Sequence, residues 1–102
     1  MALRKEKVND IILDVGFGFG KTLEHNYELL KKLSHLKTFE LPILAGVSRK
    51  SMLYNLLNTS AKEALNATSI ANTVALQNST NILRVHDVKE AMETIKIVEQ
   101  VT

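Results

Sequence analysis

Residues 11–26 read IILDVGFGFGKTLEHN. An apolar run, Ile11-Ile12-Leu13, leads to Asp14. Gly16, Gly18 and Gly20 then fall within five positions, Lys21 and Thr22 follow, and an amphipathic stretch begins. Strand, glycine loop and helix, in that order, open an α/β unit. They also open a nucleotide-binding P-loop, but here the spacing fails. That loop needs a glycine five positions before the one preceding its Lys-Thr, and the residue five before Gly20 is Val15. The dinucleotide fingerprint fails as well, because counting G-x-G-x-x-G from Gly16 puts Lys21 where the third glycine belongs. What remains is a glycine loop at a strand tip, headed by a carboxylate.

The same plan repeats along the chain. From Thr22 to about Leu36 the apolar positions Leu23, Tyr27, Leu30 and Leu29, Leu33, Leu36 recur at helical spacing. Pro42 opens a second run, Ile43-Leu44-Ala45-Gly46-Val47, and proline is acceptable at the first residue of a strand. Ser48-Arg49-Lys50-Ser51 ends it, and a short helical piece covers Met52 to Leu57. Ser60 and Glu63 have capping-box spacing, which predicts a helix from Ser60 to about Leu76. Its face of Ala64, Ala67, Ala71 and Ala75 is small enough to sit close on a sheet. Asn81 to Val85 reads as a third strand. Asp87 and Glu90 form the acidic analogue of a capping box before a helix marked by Val88, Ala91, Ile95 and Val98. The order is β-α-β-α-β-α, which predicts an α/β fold with a parallel sheet covered by helices.

Composition excludes several classes. The chain has 102 residues, enough for one small domain. Thirteen basic and 11 acidic residues leave a net charge of +2, and no basic stripe is interleaved with aromatics, so nucleic acid is not an expected partner. No apolar stretch is long enough to span a bilayer, and residues 1–10 have no signal-peptide character. With no cysteine, disulfides and thiolate metal sites are excluded. The expected setting is the cytoplasm, where the N-x-S/T triplets at Asn58, Asn66 and Asn78 are chance matches.

In parallel α/β folds the chemistry collects at the carboxyl ends of the strands. Here those ends carry Asp14; Ser48, Arg49 and Lys50; and Arg84, Val85 and His86. Adjacent strands bring them to one rim, suited to a small ligand with a donor edge on one side and an anion on the other. Each residue also has a plainer use. Asp14 either caps the amides of the glycine loop or holds a ligand. Residues 48–50 are either a solvated turn or a site. Arg84 either pairs with Asp87 or Glu90 or faces an anion, and His86 is either structural or catalytic. Phe17 and Phe19 either pack or wall a ligand. His25 and His35 lie on the first helix and receive no role.

Three segments carry a family resemblance. DVGFGFGK (14–21) resembles the D-P-G-x-G-F-x-K segment of dihydropteroate synthases. LPILAGVSRKSM (41–52) resembles their strand and S-R-K motif, and ILRVHDVKEA (82–91) their R-V-H-D-V segment. Order and intervals also match, from about Ile11 to the end. The departure is Val15, where the family has proline. The resemblance implies that residues 1–102 are a single partial domain, the last three βα units of a pterin-binding (β/α)8 TIM barrel. It implies a transferase of folate biosynthesis, the sulfonamide target, which condenses 7,8-dihydropterin pyrophosphate with 4-aminobenzoate. It also implies Mg2+ as cofactor, its family ligand having no counterpart in this chain, and a homodimeric full-length enzyme. Carried over, Asp14 binds the aminopyrimidine edge of the pterin and Lys50 its carbonyl and ring nitrogen. Ser48 and Phe19 line the aminobenzoate side. Arg84 and His86 hold the leaving pyrophosphate, Gly18 and Gly46 let backbone approach the rings, and Arg49 is counted with the substrate-binding set. Arg84, His86 and Lys50 are the expected catalytic residues. The competing readings are a non-catalytic truncated or split product and a small phosphate-ligand-binding α/β module.

Overall fold

The computed structural model describes residues 11–18 and 22–102. Three short strands, β1 (Leu13–Val15), β2 (Ile43–Ala45) and β3 (Ile82–Leu83), form a parallel sheet in the order β1-β2-β3. Parallel neighbours need crossover connections, and helices supply them. α1 (Leu23–Lys31) links β1 to β2, α2 (Ser51–Leu56) and α3 (Leu65–Gln77) link β2 to β3, and α4 (Val88–Glu99) follows β3. The register pairs Leu13 with Ile43, and places Asp14, Leu44 and Ile82 in one row and Val15, Ala45 and Leu83 in the next.

Side chains alternate across a strand, so this register sorts the sheet into two faces. Leu13, Val15, Ile43, Ala45 and Leu83 point to the helices. There they join Leu30 and Leu33, Met52 and Leu53, and the alanines of α3 in one core. The small-residue face of α3 does what its composition predicts: Ala64, Ala67, Ala71 and Ala75 are all buried. The opposite face carries Ile12, Asp14 and Ile82, all exposed, together with the half-buried Leu44. Among the described residues no helix packs on it. The helices therefore cover one face only, as on the outside of a barrel wall.

Several boundaries differ from the periodicity. α1 starts where expected, with the Thr22 hydroxyl accepting the His25 amide, but ends at Lys31 and gives way to a 3-10 stretch over Leu33–Phe39. Leu33 and Leu36 still reach the core, so the apolar spacing survived a change of helix type. The capping box at Ser60 does not form. Residues Ala61–Glu63 make a single 3-10 turn, and α3 begins at Leu65 with no side-chain cap. The carbonyls of Ala61 and Lys62 accept from the guanidinium of Arg49. α4 begins directly after Asp87, but that carboxylate caps nothing; it too is paired with Arg49.

Candidate active site

The site is built at the carboxyl ends of the three strands, and each tip is fastened to another. Arg84, after β3, donates through Nη1 to Asp14 Oδ2 on β1 at 3.0 Å. Both side chains stay about half exposed. Arg84 crosses the sheet over Gly46, where a Cβ would sit 2.8 Å from Nη2. Gly46 thus leaves room for the guanidinium, a neighbour that the ring-contact expectation did not include. Arg84 pairs with neither Asp87 nor Glu90 in any bond found here; its ion pair runs to Asp14.

The β2 and β3 tips are cross-linked twice. Buried Ser48 places Oγ 2.8 Å from His86 Nδ1 and accepts the His86 backbone amide at 3.2 Å. A hydroxyl already accepting one donor can direct its own proton to Nδ1, which leaves the second ring nitrogen, Nε2, as an N–H donor. One residue on, the Arg49 fork meets the Asp87 carboxylate with Nε and Nη2 at 2.9 and 3.0 Å. This pairing holds the Asp87 carboxyl below its ordinary pKa and raises that of Arg49, the hydrogen bond being the main cause of both shifts. Ser48-Arg49-Lys50 is therefore no solvated turn.

Lys50 ties β2 to β1. Its Nζ donates to the Phe17 carbonyl at 3.3 Å, beside Gly18, whose φ of 92° suits glycine. Phe17 is fully buried in the core and walls no ligand. Phe19 lies outside the described residues. Of the two uses open to Asp14, capping the loop is taken by another residue: Gly18 donates to Oδ1 of the buried Asn26 at 2.8 Å, and Nδ2 of Asn26 returns to the Thr22 carbonyl. Asn26 is thus the clasp of the glycine loop, which leaves the Asp14 carboxylate to Arg84 and to the open face. Sequence reasoning missed Asn26, Thr68 and Asp87. The signal for Asn26 was a polar residue at an inward helical position.

Gly46, Ser48, Arg49, Lys50, Arg84, Val85 and His86 line a cleft of roughly 390 Å³ at this rim. Its groups can stabilise negative charge near Arg84, His86 and Lys50, and Asp14, bonded to Arg84, can accept a donor edge. An apolar groove of similar volume between α1, α2 and α3, lined by Leu53, Leu57 and Ile70, lies on the helix side, away from these groups. Among the described residues no three His, Asp or Glu side chains gather to hold a metal ion, and no helix is long and apolar enough to cross a membrane.

Residues 3–86 match the family model described as "Pterin binding enzyme". The dihydropteroate synthase of Escherichia coli K12 is 46% identical over 97 residues, covering 95% of this chain and 33% of that protein. The bifunctional dihydropteroate synthase/dihydropteroate reductase of Helicobacter pylori is 43% identical over 95 residues, 93% of this chain and 25% of that one. The crystal structure of Yersinia pestis dihydropteroate synthase superposes with a TM-score of 0.90 at 48% identity, covering 92% of this chain and 44% of that chain. A complex of the Yersinia enzyme with a sulfonamide drug gives 0.89 at the same identity, covering 91% and 34%. The chain spans about a third of the length of the curated relatives it matches.

Proposed function

The chain belongs to the pterin-binding enzyme family, and on that premise we propose that it carries the C-terminal part of a dihydropteroate synthase site. The observation that carries the reading is the rim itself. Ser48, Lys50, Arg84 and His86, from two strand ends, line one cleft, and Arg84 bonds to Asp14 at the third; Ser48 bonds to His86, and Lys50 reaches the Phe17 carbonyl beyond β1. The open sheet face bearing Asp14 is the face that a (β/α)8 barrel turns inward. The substrates are 7,8-dihydropterin pyrophosphate and 4-aminobenzoate. A structure of the Yersinia relative with a pterin–sulfa conjugate supports both the pterin and the sulfonamide-competitive half of that reading.

In this reading the Asp14 carboxylate accepts the two parallel N–H groups of the aminopyrimidine edge, a geometry in which charge-assisted bonds are strongest. Taking up the pterin shifts Asp14 from its bond with Arg84 and frees that guanidinium for the pyrophosphate. Lys50 holds the pterin carbonyl and ring nitrogen, with Gly18 beside it, and Phe19 and Ser48 belong to the aminobenzoate side. The bond between the pterin methylene carbon and the pyrophosphate oxygen breaks. The aniline nitrogen bonds to that carbon and gives up a proton. The protein's share is to orient the two rings and to stabilise the departing charge at Arg84 and His86. Mg2+ is expected from the family, its family ligand having no counterpart in this chain, and no step here runs through it. A cytoplasmic, homodimeric full-length enzyme belongs to the same reading and rests on the resemblance.

The test is a chimera in which this chain replaces the segment of the Escherichia coli relative that it matches. Formation of dihydropteroate from the two substrates, lost on Arg84→Ala, is the expected result. A folded chimera that binds no pterin would overturn the assignment.

A further inference from the structure

Arg49 is the most heavily engaged side chain at the rim, yet it is poorly arranged to receive a substrate. Its guanidinium has five N–H groups. Two go to Asp87, and Nη1 serves the carbonyls of Ala61 and Lys62 at 2.7 and 2.8 Å. No parallel pair is left to grip an anion. Its backbone is equally committed: φ is 53°, an unusual value for a residue with a side chain, and its amide donates to Thr68 Oγ1, a buried hydroxyl that itself donates to the Ala64 carbonyl. The residues on either side of Arg49 are Ser48 and Lys50, and the residue before Asp87 is His86. The Arg49–Asp87 fork therefore runs parallel to the Ser48–His86 bond, one residue further along both strands.

We propose that Arg49 is a positioning residue: through Asp87 it locks the β2 tip to the β3 tip, so that Ser48 holds the His86 ring in the geometry that meets the anionic group, and it does not itself touch the ligand. That the anion is pyrophosphate rests on the function proposed above; the clamp itself does not. Arg49 and Asp87 neutralise each other, so the pair adds almost no net field at the cleft and its influence is geometric.

Two accounts of Arg49 separate on the sign of one effect. If Arg49 were an anion ligand, Asp87→Asn would remove a competing carboxylate and tighten binding, while Arg49→Ala would weaken it. If Arg49 is a clamp, both substitutions weaken binding by a similar factor, about 10- to 100-fold for a displacement near 1 Å. The double variant is then no worse than the worse single, because the two act as one unit. Arg49→Lys, which keeps the charge and loses the fork, should also weaken binding.

The experiment is calorimetric titration of the 102-residue chain and these variants with inorganic pyrophosphate, paired with the NMR signals of the His86 ring. The clamp predicts that the His86 signals of Arg49→Ala and Asp87→Asn move alike, toward those of an unrestrained imidazole. Tighter binding by Asp87→Asn overturns the proposal. Should Arg49→Ala fail to fold, Asp87→Asn and Arg49→Lys give the same comparison. Absence of pyrophosphate binding by the unsubstituted chain would count against the anion site proposed above. The His86 signals then decide alone, and a ring unmoved by either substitution overturns the clamp.

Discussion

Gly46→Ala separates packing from function at a single atom. Among the described residues only Gly18 is a glycine with positive φ, so the backbone at Gly46 accepts an L side chain. Replacing glycine by alanine at such a position stabilises a fold by about 0.4–1 kcal/mol through the unfolded state. What the new methyl meets is the end of a side chain: Arg84 Nη2 at 2.8 Å, Nε at 3.0 Å and Cζ at 3.1 Å. The guanidinium must retreat by roughly 0.6 Å to reach ordinary contact. It is about half exposed and free to do so. The fold should therefore hold, with stability unchanged or raised by up to about 1 kcal/mol in urea unfolding. The site should not, because Arg84 leaves the line between Asp14 and the anion. A displacement of that size on a charged donor should cost about 1–2 kcal/mol, or 5- to 30-fold in pyrophosphate affinity by calorimetry. Unchanged affinity would mean that Arg84 does not meet the anion from above Gly46. A loss of more than about 2 kcal/mol in stability would mean that the position serves the backbone instead.

Asp14→Asn should lower pterin affinity in the chimera by on the order of 2–4 kcal/mol, since an amide donor then faces a ligand donor. Stability should change by less than about 1 kcal/mol, because the pair with Arg84 is exposed; pterin affinity near wild type would refute the carboxylate's role. Arg84→Ala should reduce kcat/KM by on the order of 2–4 kcal/mol in transition-state terms, and by more than His86→Ala. Steady-state kinetics showing equal or reversed effects would count against it. The pH dependence follows from Asp87, whose folded pKa is lowered, chiefly by the bond from Arg49. A depressed carboxyl pKa contributes stability that is present above the unfolded value of about 3.9 and is lost as pH falls through the folded value. The stability gap between wild type and Asp87→Ala should thus be constant at neutral pH and close below about pH 4, as read by urea unfolding across a pH series. The 102-residue chain should show no turnover and should self-associate in sedimentation, since β1 and β3 keep unpaired edges among the described residues; monomeric, active chain would refute this.

The order of elements was legible because it rests on apolar spacing. Leu30, Leu33, Ile43, Ala67 and Ala71 all reach the core from the positions their periodicity assigned. The caps were not legible, because a cap is a local option that a distant partner can outbid. Asp87 has suitable spacing, yet Arg49, from another loop, takes its carboxylate. Nothing near Asp87 in the chain announces Arg49. The loop clasp was hidden for the same reason, Asn26 being eight residues from Gly18.

The strands explain both the success and the remaining gap. Each reads as a continuous apolar run, Ile11-Ile12-Leu13, Ile43-Leu44-Ala45 and Ile82-Leu83, and such runs signal burial on both faces. The register assigns one half of each run to the helices and leaves Ile12, Leu44 and Ile82 on the other face. Ile12 and Ile82 are exposed there, in line with Asp14 and next to the residues of the rim. A surface that joins bare apolar side chains to a charged ligand site has a physical reason to be covered. In a (β/α)8 barrel, side chains from the facing strands fill that interior in layers, beneath a site that opens at the strand tips. The apolar half of each run is thus the part that a barrel interior covers, and the polar residue that ends the run stands at the rim. That is why three strand ends carrying Asp14, Ser48 and Arg84 were more informative together than any glycine pattern in the loop between them.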